Sequence, residues 1–162
     1  MTDVRDLRTR IGLFVATCGY LGFAPVAPGT FGSAAGLAVY YLLDLTGSAA
    51  IYVLVTGALF ALGIWSGTVA ERALGGTDPG PVVLDEVVGM LITLALLDVS
   101  PAGALAGFLI FRVLDVIKPW PSGRFEDLHG GLGVMADDGM AAIYAHLLMR
   151  GLLWLAPAWF AA

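Results

Sequence analysis

Charge is what this chain has least of. Only 13% of its 162 residues are charged, while 59% are hydrophobic and the mean hydropathy is +0.87. Soluble domains carry about 25% charged residues. Folded in water, this chain would expose apolar surface that it has no polar side chains to cover, which points to the bilayer as its solvent. Basic residues are the scarcer kind, 8 against 13 acidic, for a formal net charge of −5. That balance excludes a nucleic-acid partner, which would need a basic stripe. A single cysteine, Cys18, excludes an intrachain disulfide and reads as a small apolar filler. There is no internal repeat and no low-complexity linker. Arg5, Arg8 and Arg10 precede an apolar run as in a signal peptide, but the Gly/Pro stretch 19–32 offers no convincing cleavage site, so this segment is expected to be retained. The length suits one membrane domain over 1–162, with 1–10 as a cytoplasmic tail.

What the chain does have is a series of apolar runs separated by Gly/Pro turns. Residues 11–23 read as a short first helix, marginal for spanning. The loop 24–33 holds prolines and glycines that argue against a regular helix there. Residues 33–43 form a short apolar helix. The run 45–70 contains no charge and is long enough to cross the ~30 Å hydrocarbon core. A polar turn at 71–81 leads to 82–97, apolar except for Asp85 and Glu86. Asp98-Val-Ser-Pro101 is a tight turn, 102–117 the next helix, 118–136 a Pro/Gly loop and 137–155 the last helix. The expected fold is all-α: a compact polytopic membrane helix bundle of about five to six helices, four or more of them spanning. Gly57, Gly63 and Gly67 suit close helix packing, within one chain or between copies in a homo-oligomer.

Basic residues set the orientation. With the N-terminus cytoplasmic and 11–23 returning to that side, Arg72, Arg112, Lys118 and Arg124 all fall inside, and only Arg150 falls outside. The same arrangement gathers the 24–33 loop, Asp85, Glu86, Arg112, Asp115, Lys118, His129, Asp137 and Asp138 at the cytoplasmic end. Ionisable groups in a membrane cost at least ~2.5 kcal/mol on insertion scales and are functional candidates by default.

Asp85-Glu86 and Asp137-Asp138 are each expected in the first turn of a helix, where an acid complements the macrodipole. Capping needs one acid, however, and adjacent like charges repel unless a cation lies between them. Four carboxylates from two helix starts suit a hard divalent ion, Mg2+ when phosphate is present. Arg112, Asp115 and Lys118, at i, i+3 and i+6, fall within about a 120° arc of one helix face. Arg112 and Asp115 can neutralise each other as a pair, or Arg112 and Lys118 can bind phosphate oxygens with Asp115 in support. Pro119-Trp120-Pro121 ends that helix, and Trp120 suits the interfacial belt. Gly29, Thr30, Gly32 and Ser33 open a helix where backbone N–H groups can approach an anion; Thr30 or Ser33 is equally an ordinary N-cap. His129 is a candidate general acid or base, against a structural role for a loop histidine beside two glycines. His146, amid an apolar helix, reads as a satisfied bundle residue.

Four blocks together carry a resemblance: Pro25-Val-Ala-Pro-Gly-Thr-Phe-Gly-Ser33, Leu84-Asp-Glu-Val-Val-Gly-Met-Leu-Ile-Thr93, Phe111-Arg-Val-Leu-Asp-Val-Ile-Lys-Pro-Trp-Pro121 and His129-Gly-Gly-Leu-Gly-Val-Met-Ala-Asp-Asp138. In this order the chain resembles the phosphatidylglycerophosphatase A family of bacterial membrane lipid phosphatases. Leu84 and Ala136 depart from the familiar pattern without touching a proposed ligand. The resemblance implies a phosphoric monoester hydrolase: Mg2+-dependent removal of the terminal phosphate of phosphatidylglycerophosphate, giving phosphatidylglycerol, at the inner face of the bacterial cytoplasmic membrane. Asp85, Glu86, Asp137 and Asp138 are then expected to hold the metal and Arg112 and Lys118 the phosphate, with Asp85 or Asp138 orienting water. The rival reading is a small ion or proton transporter with a clustered acidic site. It would place polar residues through the bilayer or show inverted repeats, and neither is present. A histidine-dependent lipid phosphatase is disfavoured because Arg124 stands where Lys118-Pro-Trp-Pro-Ser-Gly123 would need a histidine to follow.

Overall fold

The computed structural model describes residues 6–128 and 130–162. Their regular structure is helical: α1 (Leu7–Ala16), α2 (Pro28–Asp44), α3 (Ala49–Leu74), α4 (Leu84–Thr93), α5 (Pro101–Ile117), α6 (Gly131–Leu155) and the single-turn α7 (Pro157–Phe160), with 3₁₀ turns at Leu21–Phe23 and Ser122–Asp127. The all-α expectation holds, with more helices than the five to six read from the apolar runs.

The boundaries differ from that reading in instructive ways. The loop expected over 24–33 is helical from Pro28, because proline at the first helical position surrenders only an N–H that has no intrahelical acceptor anyway. Ala27, at φ 49°, is the N-cap, so neither Thr30 nor Ser33 caps the helix. The last helix begins at Gly131 rather than 137, which removes Asp137 and Asp138 from its first turn. Ser48 and Ser100 are the side-chain caps, accepting from the Ile51 and Gly103 amides at 3.4 and 3.1 Å.

The 10-residue α4 is the axis of the bundle, in contact with α2, α3, α5 and α6. It is buried on nearly every side, as expected of a helix that is apolar all round past its two first-turn acids. Small residues admit its neighbours. A Cβ on Gly36 of α2 would lie 2.7 Å from the Val87 carbonyl and 2.8 Å from Met90 Cβ, and one on Gly89 of α4 would enter the Phe111 ring. Tyr40, Met90, Leu91, Leu94, Phe111 and Met149 fill the core.

Apolar run 82–97 is helical only to Thr93, and α4 rises about 15 Å, half the hydrocarbon thickness. The chain continues non-helically toward Ser100. Its carbonyls are met by side chains: the Tyr52 hydroxyl donates to Leu91 O at 2.6 Å and the Tyr40 hydroxyl to Leu97 O at 2.9 Å. Thr93 O lies 3.2 Å from His146 Nδ1, so His146 has the structural partner expected of it. Among the described residues α3 alone is long and apolar enough to cross a membrane by itself (26 residues, mean hydropathy 1.9). The flanks of the bundle are nonetheless richly apolar: Leu54, Leu105, Leu109, Val113, Val116, Leu147 and Leu148 are each more than half exposed.

Candidate active site

The first turn of α4 delivers Asp85 and Glu86, and the second turn of α6 delivers Asp138. One carboxylate oxygen from each lies within 4.8 Å of the others. Asp85 and Asp138 are each only 5% exposed. Asp85 Oδ1, Glu86 Oε2 and Asp138 Oδ2 are buried and accept no hydrogen bond. Buried acceptors without a donor are costly, and three carboxylates at this spacing repel one another. A hard cation answers both problems, and the all-oxygen donor set fits one.

Arg112 of α5 faces this trio. Its Nη1 lies 2.7 Å from Asp115 Oδ2 and 3.7 Å from Glu86 Oε1. The Arg112–Asp115 pair expected from the helix spacing therefore forms, and it also reaches α4. Gly29 of α2 completes the wall: a Cβ there would collide with Glu86 Oε1 and come within 2.9 Å of both Arg112 nitrogens. Gly32 packs the same way on Val83 and Glu86. Ser33 is fully buried with an unpartnered hydroxyl, whereas Thr30 is exposed.

Lys118 and Asp137 belong to a neighbouring arrangement. Lys118, at φ 49°, terminates α5, and its Nζ pairs with Asp137 Oδ2. The Ser122 hydroxyl donates to Asp137 Oδ1 at 3.0 Å from the 3₁₀ turn. Asp137 thus lies outside the carboxylate trio, turned toward Lys118 on the adjacent face of α6. Ser122, fully buried, was not singled out in the sequence; its place between two prolines' worth of turn and a helix start gave no chemical signal. His129 lies outside the described residues.

Cys18, after α1, also looks toward this end of the bundle. Burial, and then the charges of Asp85 and Glu86, push its thiol up to about 12, so it is a neutral neighbour of the site.

The model of the phosphatidylglycerophosphatase A family matches residues 14–153. The chain belongs to this family. It is 37% identical over 135 residues to phosphatidylglycerophosphatase A of Escherichia coli (strain K12), covering 82% of this chain and 76% of that one. It is 39% identical over 131 residues to phosphatidylglycerophosphatase A of Haemophilus influenzae, covering 79% and 80%. A Bacteroides thetaiotaomicron protein, provisionally named a phosphatidylinositol-3-phosphatase, is 37% identical over 145 residues, covering 83% and 88%. No solved structure matches. As a member of the phosphatidylglycerophosphatase A family the chain is a phosphatase, a phosphoric monoester hydrolase with a role in lipid metabolism, and its acidic cluster is compatible with a divalent cation.

Proposed function

We propose that this phosphatase removes the terminal phosphate of phosphatidylglycerophosphate, giving phosphatidylglycerol, with Mg2+ bound by Asp85, Glu86 and Asp138. The observation that carries the reading is the buried trio with one unpartnered oxygen on each carboxylate, set beside Arg112. When bound, the ion supplies screening of the phosphate charge and an activated water. Arg112, steadied by Asp115, takes phosphate oxygens as charge builds up on them. Lys118, steered by Asp137 and Ser122, takes another. Gly29 lets the first turn of α2 come close enough to offer its backbone N–H; the Thr30 amide already donates to the Ala27 carbonyl at 2.9 Å, and Gly32 and Ser33 lie past the first turn, where helical carbonyls accept their amides. Asp85 or Asp138 accepts a proton from the attacking water. The water oxygen bonds to phosphorus, the bond from phosphorus to the glycerol oxygen breaks, and that oxygen takes a proton, the role proposed for His129. Asp137, turned to Lys118, serves as a positioning residue before a metal ligand.

The chain is proposed to be a single multi-pass domain of the bacterial cytoplasmic membrane. α2, α3, α5 and α6 cross it; at 17 residues α2 and α5 are at the short end of the spanning range. α4 and the turn after it make a fifth, broken crossing. Non-helical backbone is tolerated at membrane depth where protein encloses it, and Tyr40 and Tyr52 supply the donors. Arg8, Arg10, Arg72, Lys118 and Arg124, which the positive-inside rule assigns to the cytoplasm, support a site at the cytoplasmic face.

Phosphate release from phosphatidylglycerophosphate by the detergent-purified protein, with Mg2+ or EDTA, tests this. Phosphatidic acid and phosphatidylinositol 3-phosphate serve as competing substrates. Mg2+-dependent release is expected, and Asp85→Asn and Asp138→Asn should each lose at least about 100-fold in kcat, because several kcal/mol of charge stabilisation goes with the ion. Release that survives EDTA and both substitutions would sink the metal site. Preference for the inositol lipid would overturn the substrate.

A further inference from the structure

A groove on the flank of the bundle, between α5 and α6, is lined by Leu114, Pro119, Trp120, Tyr144, Leu147 and Leu148 and has a volume of about 390 Å³. Its lower walls are Leu147 and Leu148, both more than half exposed on a surface proposed to face lipid tails. Its head is Pro119-Trp120, the residues directly after Lys118. The Tyr144 hydroxyl donates to the Trp120 carbonyl at 3.1 Å and so ties that head to α6. Over the exposed Trp120 ring, 5.6 Å from its centroid, lies the guanidinium of Arg124. Two other flank grooves, which meet at Phe60 and Ile92, are not lined by a basic side chain, and among the described residues no cation stacks on their rings.

We propose that this groove is the lipid-side subsite of the enzyme, taking one acyl chain along Leu147 and Leu148 and the diester phosphate of the same lipid against Arg124. The inference rests on the phosphatidylglycerophosphatase reading and deepens it. That substrate carries two phosphates of different kinds. The monoester is the one removed, and the trio with Arg112 is suited to it. The diester, which links the glycerol to the diacylglycerol, keeps its charge throughout and needs a cation of its own at headgroup level. Arg124 is placed for this: it is exposed, planar, able to pair with two phosphate oxygens, and stacked on a tryptophan of the kind that sits at the membrane–water interface. Asp137, next to Asp138 of the trio, pairs with Lys118, and Trp120, two residues after Lys118, carries Arg124 and heads the groove, a succession that matches the groups along the lipid. Arg124 is thus a specificity-determining residue, because a lipid with one phosphate has nothing to offer it.

Two measurements on the full chain in proteoliposomes test the proposal. Arg124→Gln should raise KM for phosphatidylglycerophosphate about tenfold, the value of one lost charge-assisted contact, and leave kcat unchanged, with Arg124→Lys restoring most of the affinity. A phosphatidylglycerophosphate with a diazirine on its acyl chain should label residues 144–148, and Leu148→Trp, which fills the groove from its exposed side, should abolish that labelling. A fall in kcat at unchanged KM, or no kinetic change, in Arg124→Gln overturns the proposal. So does labelling centred on Phe60 or Ile143. Labelling at 144–148 by a wild-type protein that releases no phosphate would leave the subsite standing and remove the proposed reaction.

Discussion

At the scale of single residues, the site is a matter of which acid faces which neighbour. Asp137 and Asp138 are adjacent in sequence, and α6 turns about 100° between them. One therefore joins Asp85 and Glu86 while the other pairs with Lys118 and Ser122. Nothing in an Asp-Asp dipeptide says which will do which. Under the proposed roles, Asp137→Asn keeps the shape and loses the charge that holds Lys118. It is expected to cost 10- to 100-fold in kcat/KM, as partners of ligating or phosphate-binding groups do, while leaving the Mg2+ dependence intact; a Mg2+ titration of the variant checks this. Cys18 gives a second residue-scale prediction. Its thiol is raised from 9.0 to about 12, and a raised pKa means that the neutral, unreactive form persists to higher pH. At pH 8 the metal-free protein should hold about a thousandfold less thiolate at Cys18 than an ordinary cysteine, since each pH unit is tenfold. Maleimide labelling in detergent should be correspondingly slow and should rise steeply only above pH 11.

At the scale of elements, α4 was the least legible from sequence and matters most. Its apolar run is long enough to suggest a spanning helix, but the helix stops after Thr93 because the core gives its last carbonyls other partners. Tyr52 and Tyr40, from α3 and α2, reach Leu91 and Leu97, contacts far apart in the chain and invisible to periodicity. Tyr52→Phe leaves the Leu91 carbonyl unpaired in a buried setting, and is expected to lower stability by about 1–3 kcal/mol. Thermal unfolding in detergent reads this as a lower Tm, and initial activity at low temperature should be unchanged because the hydroxyl is remote from the trio. The start of α2 taught the converse lesson. Pro28 and the glycines after it read as a loop, yet they are the helical turn that packs on Glu86 and Arg112, and their lack of side chains is what brings α2 against the site.

At the scale of the molecule, one end of the bundle holds the acids with their basic partners and the other holds Asp44, Asp98 and the α7 turn. The proposed crossing pattern puts these ends on opposite sides of the membrane. In a Cys18→Ala background, Asp98→Cys should react with a membrane-impermeant maleimide added outside intact cells. Thr77→Cys, in the turn between α3 and α4, should react only after permeabilisation. The reverse pattern, or labelling of both from one side, would overturn the topology.

The amino-acid sequence by itself determined the helical class and the family, and it argued for the bilayer as solvent. Composition leaves few charged side chains to cover an apolar surface, apolar runs between Gly/Pro turns admit few structures besides helices, and four blocks in order carry the phosphatidylglycerophosphatase likeness through Asp85, Glu86, Arg112, Lys118 and Asp138. Only the tertiary structure decided that three of the four acids converge, that Arg112 bridges Asp115 to Glu86, and that Arg124 stacks on Trp120 at the head of a groove. The reason is physical: composition and periodicity report what each segment prefers from its own side chains. The direction in which a buried carboxylate points is set instead by the helices that pack around it.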